Sequence, residues 1–140
     1  MRWLGMWVAA LALAGGVARA DTMVKVQLGD PADETLMTMS ADKTSVKAGK
    51  VVFEVTNATK TTVHEMIVVA LSSADQKLPI NAKTDTVEEK KIRDLGEAAD
   101  LNPGTKKSLT LKLKPGKYAL ICNQPGHYSH GMKIAFTVTP

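Results

Sequence analysis

Apolar residues in this chain recur in short alternating runs divided by turn residues, and the period is that of β-strands. Met23, Val24, Val26 and Leu28 form a first run, broken by Gly29-Asp30-Pro31. Two short pieces, Leu36 to Ser40 and Ser45 to Lys47, lie either side of Asp42-Lys43. Ala48-Gly49-Lys50 then turns the chain into Val51, Phe53 and Val55, which alternate with Val52, Glu54 and Thr56, the period of two of a strand with one buried face. Val63 to Leu71 is apolar at nearly every position and predicts a strand covered on both faces. Leu109, Leu111 and Leu113 alternate with polar residues across Lys106 to Lys114, and Pro115-Gly116 leads into Lys117 to Cys122. Met132, Ile134, Phe136 and Val138 alternate to the end. Seven or eight short strands at this spacing predict a single-domain, all-β sandwich. Ser72 to Asn102 is the exception, being long, polar and charged. Thr86 and Glu89 have capping-box spacing and predict a helix ending near Gly96, against an irregular apolar spacing of Val87, Ile92 and Leu95. The same segment is available to cover the second face of the Val63–Leu71 strand.

Before Asp21 the pattern changes. Arg2 is the only charge ahead of an uncharged run from Trp3 to Ala18, and Ala18-Arg19-Ala20 supplies small residues at the two positions a signal peptidase reads. A positive start, an apolar stretch and an A-x-A site predict a signal peptide over residues 1–20, with the domain over residues 21–140 and periplasmic export. The alternative, an uncleaved membrane anchor, needs a run of ~20 apolar residues, longer than this one. No later run approaches that length, so no membrane span is expected in the mature form.

Composition narrows the function. The chain has 140 residues with 18 Lys+Arg against 14 Asp+Glu, enough for one domain. Cleavage removes two bases (Arg2 and Arg19), no acids and both tryptophans, leaving 16 against 14, or +2. So small an excess argues against nucleic acid as a partner, which needs a basic patch beside exposed aromatics. One Cys excludes an internal disulfide and four-thiolate zinc sites. An unpaired thiol in an oxidising compartment needs deep burial or a metal.

The single Cys, two of three His and a Met fall within eleven residues of one another: Cys122-Asn-Gln-Pro-Gly-His127-Tyr-Ser-His130-Gly-Met132. The stretch forms a loop between two predicted strands, with Tyr118, Leu120 and Cys122 on an inward face and Met132 sharing a face with Ile134 and Phe136. His64 opens the doubly covered strand and is placed to offer an imidazole from across the sandwich. Thiolate, imidazole and thioether are the soft and borderline ligands that suit copper in both oxidation states, and two His, one Cys and a distant Met describe a blue-copper electron-transfer site. Hard cations are excluded by the lack of a carboxylate cluster here. Each residue alone has a plainer role: a buried small hydrophobe for Cys, a hydrogen-bonded core residue for His, packing for Met. Their coincidence at x4 spacings in one Pro-Gly loop favours a metal.

The Cys122-x4-His127-x4-Met132 loop, with Tyr118-x-Leu-x-Cys122 before it, resembles the cupredoxins (blue copper proteins), most closely the rusticyanin-like and sulfocyanin-like branch with Pro-Gly-His in this loop. The similarity extends as a looser pattern from Thr44-Ser-Val-Lys-Ala-Gly-Lys through Val55-Thr-Asn57 and His64 to the last strand. It implies a Greek-key β-sandwich with one type 1 copper ion held by His64, Cys122 and His127, with Met132 axial. His130 is the rival second imidazole; the family spacing favours His127 and leaves His130 further out. Many cupredoxins carry Asn after the first ligand His, where Glu65 stands here. Strand alternation points the Glu65 carboxylate away from the His64 side, while its backbone N–H can still reach the sulfur; a carboxylate swung onto copper would instead give a tetragonal, red site.

The function expected is a one-electron carrier, not an enzyme, monomeric, docking briefly with redox proteins around His127. Pro125, Gly126, Tyr128, Gly131 and Met132 are expected to frame that surface, with Lys60, Lys106 and Lys107 steering an acidic partner. Copper delivery, buffering or resistance on the same fold is the alternative. A Cys-His thiol enzyme is disfavoured because only Asn123 is near enough in sequence to orient the pair.

Overall fold

The computed structural model describes Gly16 and residues 19–140, so the apolar run of the expected leader lies outside the described residues. Eleven strands form among the described residues: β1 (Thr22–Leu28), β2 (Met39–Ala41), β3 (Ser45–Lys47), β4 (Gly49–Asn57), β5 (His64–Leu71), β6 (Ile80–Asn81), β7 (Thr86–Val87), β8 (Arg93–Leu101), β9 (Lys106–Leu113), β10 (Gly116–Ile121) and β11 (Lys133–Thr139). Seven of them have six residues or more; six of these are the runs the apolar pattern marks, and the seventh, β8, lies in the polar segment. The other four are pieces of two or three residues.

The strands make one sheet in the order β2-β1-β4-β9, a second in the order β3-β11-β10-β5-β8, and a separate β6-β7 ribbon. β1 runs parallel to β4 and β3 parallel to β11, while the other pairs are antiparallel. The inward sets of the two sheets meet in one core: Val24, Val26 and Leu28 from β1 and Val51, Phe53 and Val55 from β4 face Met66, Val68, Leu120, Phe136 and Val138. Phe53 and Phe136 join the sheets with ring centroids 5.5 Å apart at 60°, the tilted contact that suits opposed ring quadrupoles.

β5 is buried at every position from His64 to Val69, as its unbroken apolar run requires. Its second face is covered by the segment that follows. Ile67, Val69 and Ile121 pack with Leu78 and Val87, and Ile92 and Tyr128 close on the same cluster. The helix expected between Thr86 and Gly96 does not form. Thr86–Val87 pairs in the ribbon, Glu89–Lys91 makes a single 3-10 turn, and Arg93–Leu101 runs as β8 along the open edge of β5. The irregular spacing of Val87, Ile92 and Leu95 gives no continuous helical face, whereas pairing with β5 satisfies the backbone of both strands.

Among the described residues no helix is long and apolar enough to cross a membrane.

Candidate metal centre

Three segments distant in sequence converge at one end of the sandwich. His64 starts β5, where it pairs with Leu101 of β8. Cys122 follows the last residue of β10, and its backbone N–H donates to the Met132 carbonyl at 3.0 Å, closing the loop at its base. His127 stands within that loop, its own carbonyl accepting from Met132 N–H at 3.0 Å. Further turns from His127 N–H to Gln124 O and from His130 N–H to Gly126 O fold the loop on itself.

The ligand atoms face one another. Nδ1 of His64 and Nδ1 of His127 are 3.1 Å apart, and Cys122 Sγ is 3.4 Å from His127 Nδ1 and 3.9 Å from His64 Nδ1. All three residues offer their atoms within 4.8 Å of one another. Separations of 3–4 Å are what nitrogens ~2.0 Å and a sulfur ~2.3 Å from a shared centre subtend, so the set fits a single ion of the size and softness of copper. His64 and Cys122 are buried and His127 is partly exposed. Met132 is fully buried in the main core beside Cys122. It therefore does not help frame an exposed surface, as the spacing suggested; Pro125 and Gly131 are exposed, and Tyr128 packs partly into the second cluster. His130 is exposed, with its Nδ1 2.6 Å from the Gly126 carbonyl, and stays outside the cluster.

The electrostatics suit a metal. Burial, then the neighbouring His127, lowers His64 to about 4, partly offset by Glu34. His127 is lowered by burial and then by His130. Both rings are thus neutral at pH 7, with lone pairs available to a cation. Burial pushes the Cys122 thiol up to about 11 in the metal-free protein, against the opposing backbone N–H groups of Gln124 and Glu65. A thiolate forms there only as a metal displaces the proton. The Glu65 N–H lies 3.5 Å from Sγ, in the role the sequence suggested for it. The Glu65 carboxyl is itself buried, raised to about 7 by desolvation and then by Glu97, Glu89 and Asp100. The neighbouring backbone is irregular: β8 gains a residue opposite Glu65, between the His64–Leu101 and Met66–Ala98 pairs, and Asp100 takes φ 45°.

Residues that hold the site rigid are mostly those the motif did not include. Gly29, at φ +76°, lets the β1 turn pass against the His64 ring, where an added Cβ would stand 3.2 Å from Nε2 and 2.3 Å from Thr59 Cγ2. Asn57 is fully buried and ties the stretch before His64 to β8, its Nδ2 donating to Thr62 O at 2.8 Å and Leu101 O at 2.9 Å while its Oδ1 accepts from Thr59 N–H and Oγ1. Asn123 clamps the ligand loop to the ribbon. Its Oδ1 accepts from Val87 N–H at 2.6 Å, and its Nδ2 donates to Val87 O at 3.0 Å and to Glu89 Oε1 at 2.8 Å. Gly126 N–H adds a bond to Asp85 O at 2.8 Å. The Ser72–Asn102 segment therefore braces the loop as well as covering β5. Asn57 stood within the looser family pattern; Asn123 carried no signal beyond its place next to Cys122.

A family model for the cupredoxin-like domain matches residues 3–135. Auracyanin-B of Chloroflexus aurantiacus is 49% identical over 47 residues, which are 33% of this chain and 20% of that protein, so the chain spans about a fifth of the curated relative's length. Among solved structures, auracyanin B is 27% identical over 89% of this chain and 93% of its own, with a TM-score of 0.61. Reduced rusticyanin shares the fold at 16% identity and a TM-score of 0.65, over 87% of this chain and 81% of its own. So does auracyanin A, a "blue" copper protein of Chloroflexus aurantiacus, at 20% identity and a TM-score of 0.62, over 86% of this chain and 100% of its own.

Proposed function

The chain belongs to the cupredoxin-like family, and from that premise we propose that it is an exported carrier of single electrons whose His64, Cys122, His127 and Met132 hold one type 1 copper ion. The observation that carries this reading is the convergence of two Nδ1 atoms and one Sγ within 4.8 Å in a largely buried site. Residues 1–20 are the export leader and residues 21–140 the working domain, a monomer in the periplasm and not itself an enzyme. Blue copper in a structural neighbour of the same fold supports the choice of metal.

Copper bound there supplies reversible exchange of one electron. The protein's own part is to fix the ligands beforehand. Cys122 loses its proton on binding, and the N–H groups of Glu65 and Gln124 then stabilise the thiolate charge. The two neutral imidazoles are oriented by packing against Gly29 on one side and by the closed loop turns on the other. Burial excludes water from three of the four ligands, and the Asn57 and Asn123 networks resist movement when charge changes. The partly exposed His127 is the port through which an electron passes to a redox partner, in a brief contact from which the partner soon leaves.

Electron self-exchange measured by NMR line broadening, beside the rate of copper loss to a strong chelator, tests the function. A carrier exchanges electrons rapidly and keeps its copper. Slow self-exchange with rapid surrender of copper would assign the domain to copper delivery instead.

A further inference from the structure

The end of the sandwich opposite the metal centre carries a different chemistry. β4 and β10 run from that end to the metal: β10 starts at Gly116 and leads to Cys122, and β4 starts at Gly49 and reaches Asn57, a span of roughly 30 Å for nine residues. At the starting end a cleft of about 340 Å³ is lined by Arg93, Lys112, Lys114 and Lys117 over a floor that includes Leu71 and Tyr118. No carboxylate lines it, and among the described residues none of the four cations has an acidic partner within 4 Å. Asp94, the acid next to Arg93, is engaged by the Gly96 N–H. Leu95, 37% exposed, and Pro115 put apolar surface between the charges. The metal end mixes charges, with Glu34, Asp85, Glu89 and Asp100 around it as well as Lys60, Lys106 and Lys107.

The chain also enters the domain at the basic end. Thr22 pairs with Val51, and Asp21 meets Lys50 at 2.8 Å, beside Lys112, the strand partner of Lys50. We propose that this basic pole is a membrane-facing surface that binds the headgroups of anionic phospholipids. Four unpaired cations around a cleft match a layer of phosphates, and Leu95 and Pro115 match the apolar boundary just below them. The domain then stands with His127 directed away from the lipid and open to partners in solution. The placement of these residues holds whether or not copper occupies the other end.

The test takes the protein as the expressing bacterium exports it and sediments it with vesicles of pure phosphatidylcholine or with about one third phosphatidylglycerol. Any retained leader, whose Arg2 and Arg19 also favour anionic lipid, is common to the parent and both triple variants, so the change in ratio between them isolates the pole. Each basic side chain at an anionic surface strengthens binding roughly fivefold, so K112Q/K114Q/K117Q should lower the ratio by about a hundredfold. The three lysines are exposed, and an unchanged melting temperature checks that the fold is kept. K60Q/K106Q/K107Q, at the metal end, should leave the ratio within about twofold, and molar salt should bring it near one, as the Debye length falls to ~3 Å. A ratio near one for the unmodified protein, or equal losses in both triple variants, would overturn the proposal. Retention on poly-aspartate beads without binding to phosphatidylglycerol vesicles would assign the pole to an acidic protein and overturn it equally.

Discussion

Glu65 is the buried group whose removal should strengthen the metal-free protein, and by an amount that depends on pH. Its carboxyl is 8% exposed and raised from 4.5 to about 7 by desolvation and then by Glu97, Glu89 and Asp100, with a backbone N–H of Asn123 opposing. Below pH 4.5 both folded and unfolded chains carry the proton, and the group has no pH-dependent effect. Between 4.5 and about 7 the unfolded chain releases the proton while the folded one keeps it, so stability falls as pH rises. Above that window both are ionised and the cost is constant, on the order of 3 kcal/mol at ~1.4 kcal/mol per tenfold in proton affinity. Glu65→Gln has the same shape and no proton to lose. The variant should match the parent near pH 4 and exceed it near pH 8, by about 1.5 M in urea midpoint for a slope of ~2 kcal/mol/M. Urea unfolding of metal-free parent and variant across this range measures the difference directly, and the histidine contributions cancel because both proteins share them. A difference that stays flat with pH, or a variant weaker than the parent at pH 8, would refute the reasoning.

Two further substitutions probe the bracing of the site. Gly29→Ala forces a side chain into a left-handed backbone against Thr59 and the His64 ring, and should cost at least ~1 kcal/mol and alter the spectrum of the copper-loaded protein. Gly49→Ala, at φ +136° with nothing within 4 Å of the new Cβ, carries strain without that contact and should leave the spectrum unchanged. Asn123→Ala strands the Val87 N–H and C=O and should destabilise by ~1–3 kcal/mol, with faster hydrogen exchange at Val87 than at core positions such as Phe53. An unaltered exchange rate at Val87 would mean that the clamp contributes nothing in solution.

What the sequence disclosed and what it withheld divide along contact range. Val51, Phe53 and Val55 alternate because one face of β4 is buried, and the unbroken run of β5 follows from burial on both faces; such patterns are local and legible. The Cys122–Met132 loop offered its candidate ligands for the same reason, Cys122 and His127 lying a few residues apart. The Thr86–Leu101 segment was not. Thr86 and Glu89 carry a local helix signal, and it is overridden by the open edge of β5, whose backbone needs a partner. Glu65 gave its identity but not its surroundings, because Glu97 and Asp100 reach it only through pairing across β8. Gly29 and Asn123 support ligands they do not adjoin or do not themselves supply, through contacts with His64 and Val87 that are 35 and 36 residues away in the chain.

The visible and EPR spectra of the copper-loaded protein test the central claim most directly. A thiolate and two imidazoles in a buried, weakly axial site should give intense blue thiolate-to-Cu(II) absorption with the narrow hyperfine splitting of type 1 copper, and Cys122→Ser should abolish both. A colourless copper-loaded protein, or one whose colour survives Cys122→Ser, would contradict it.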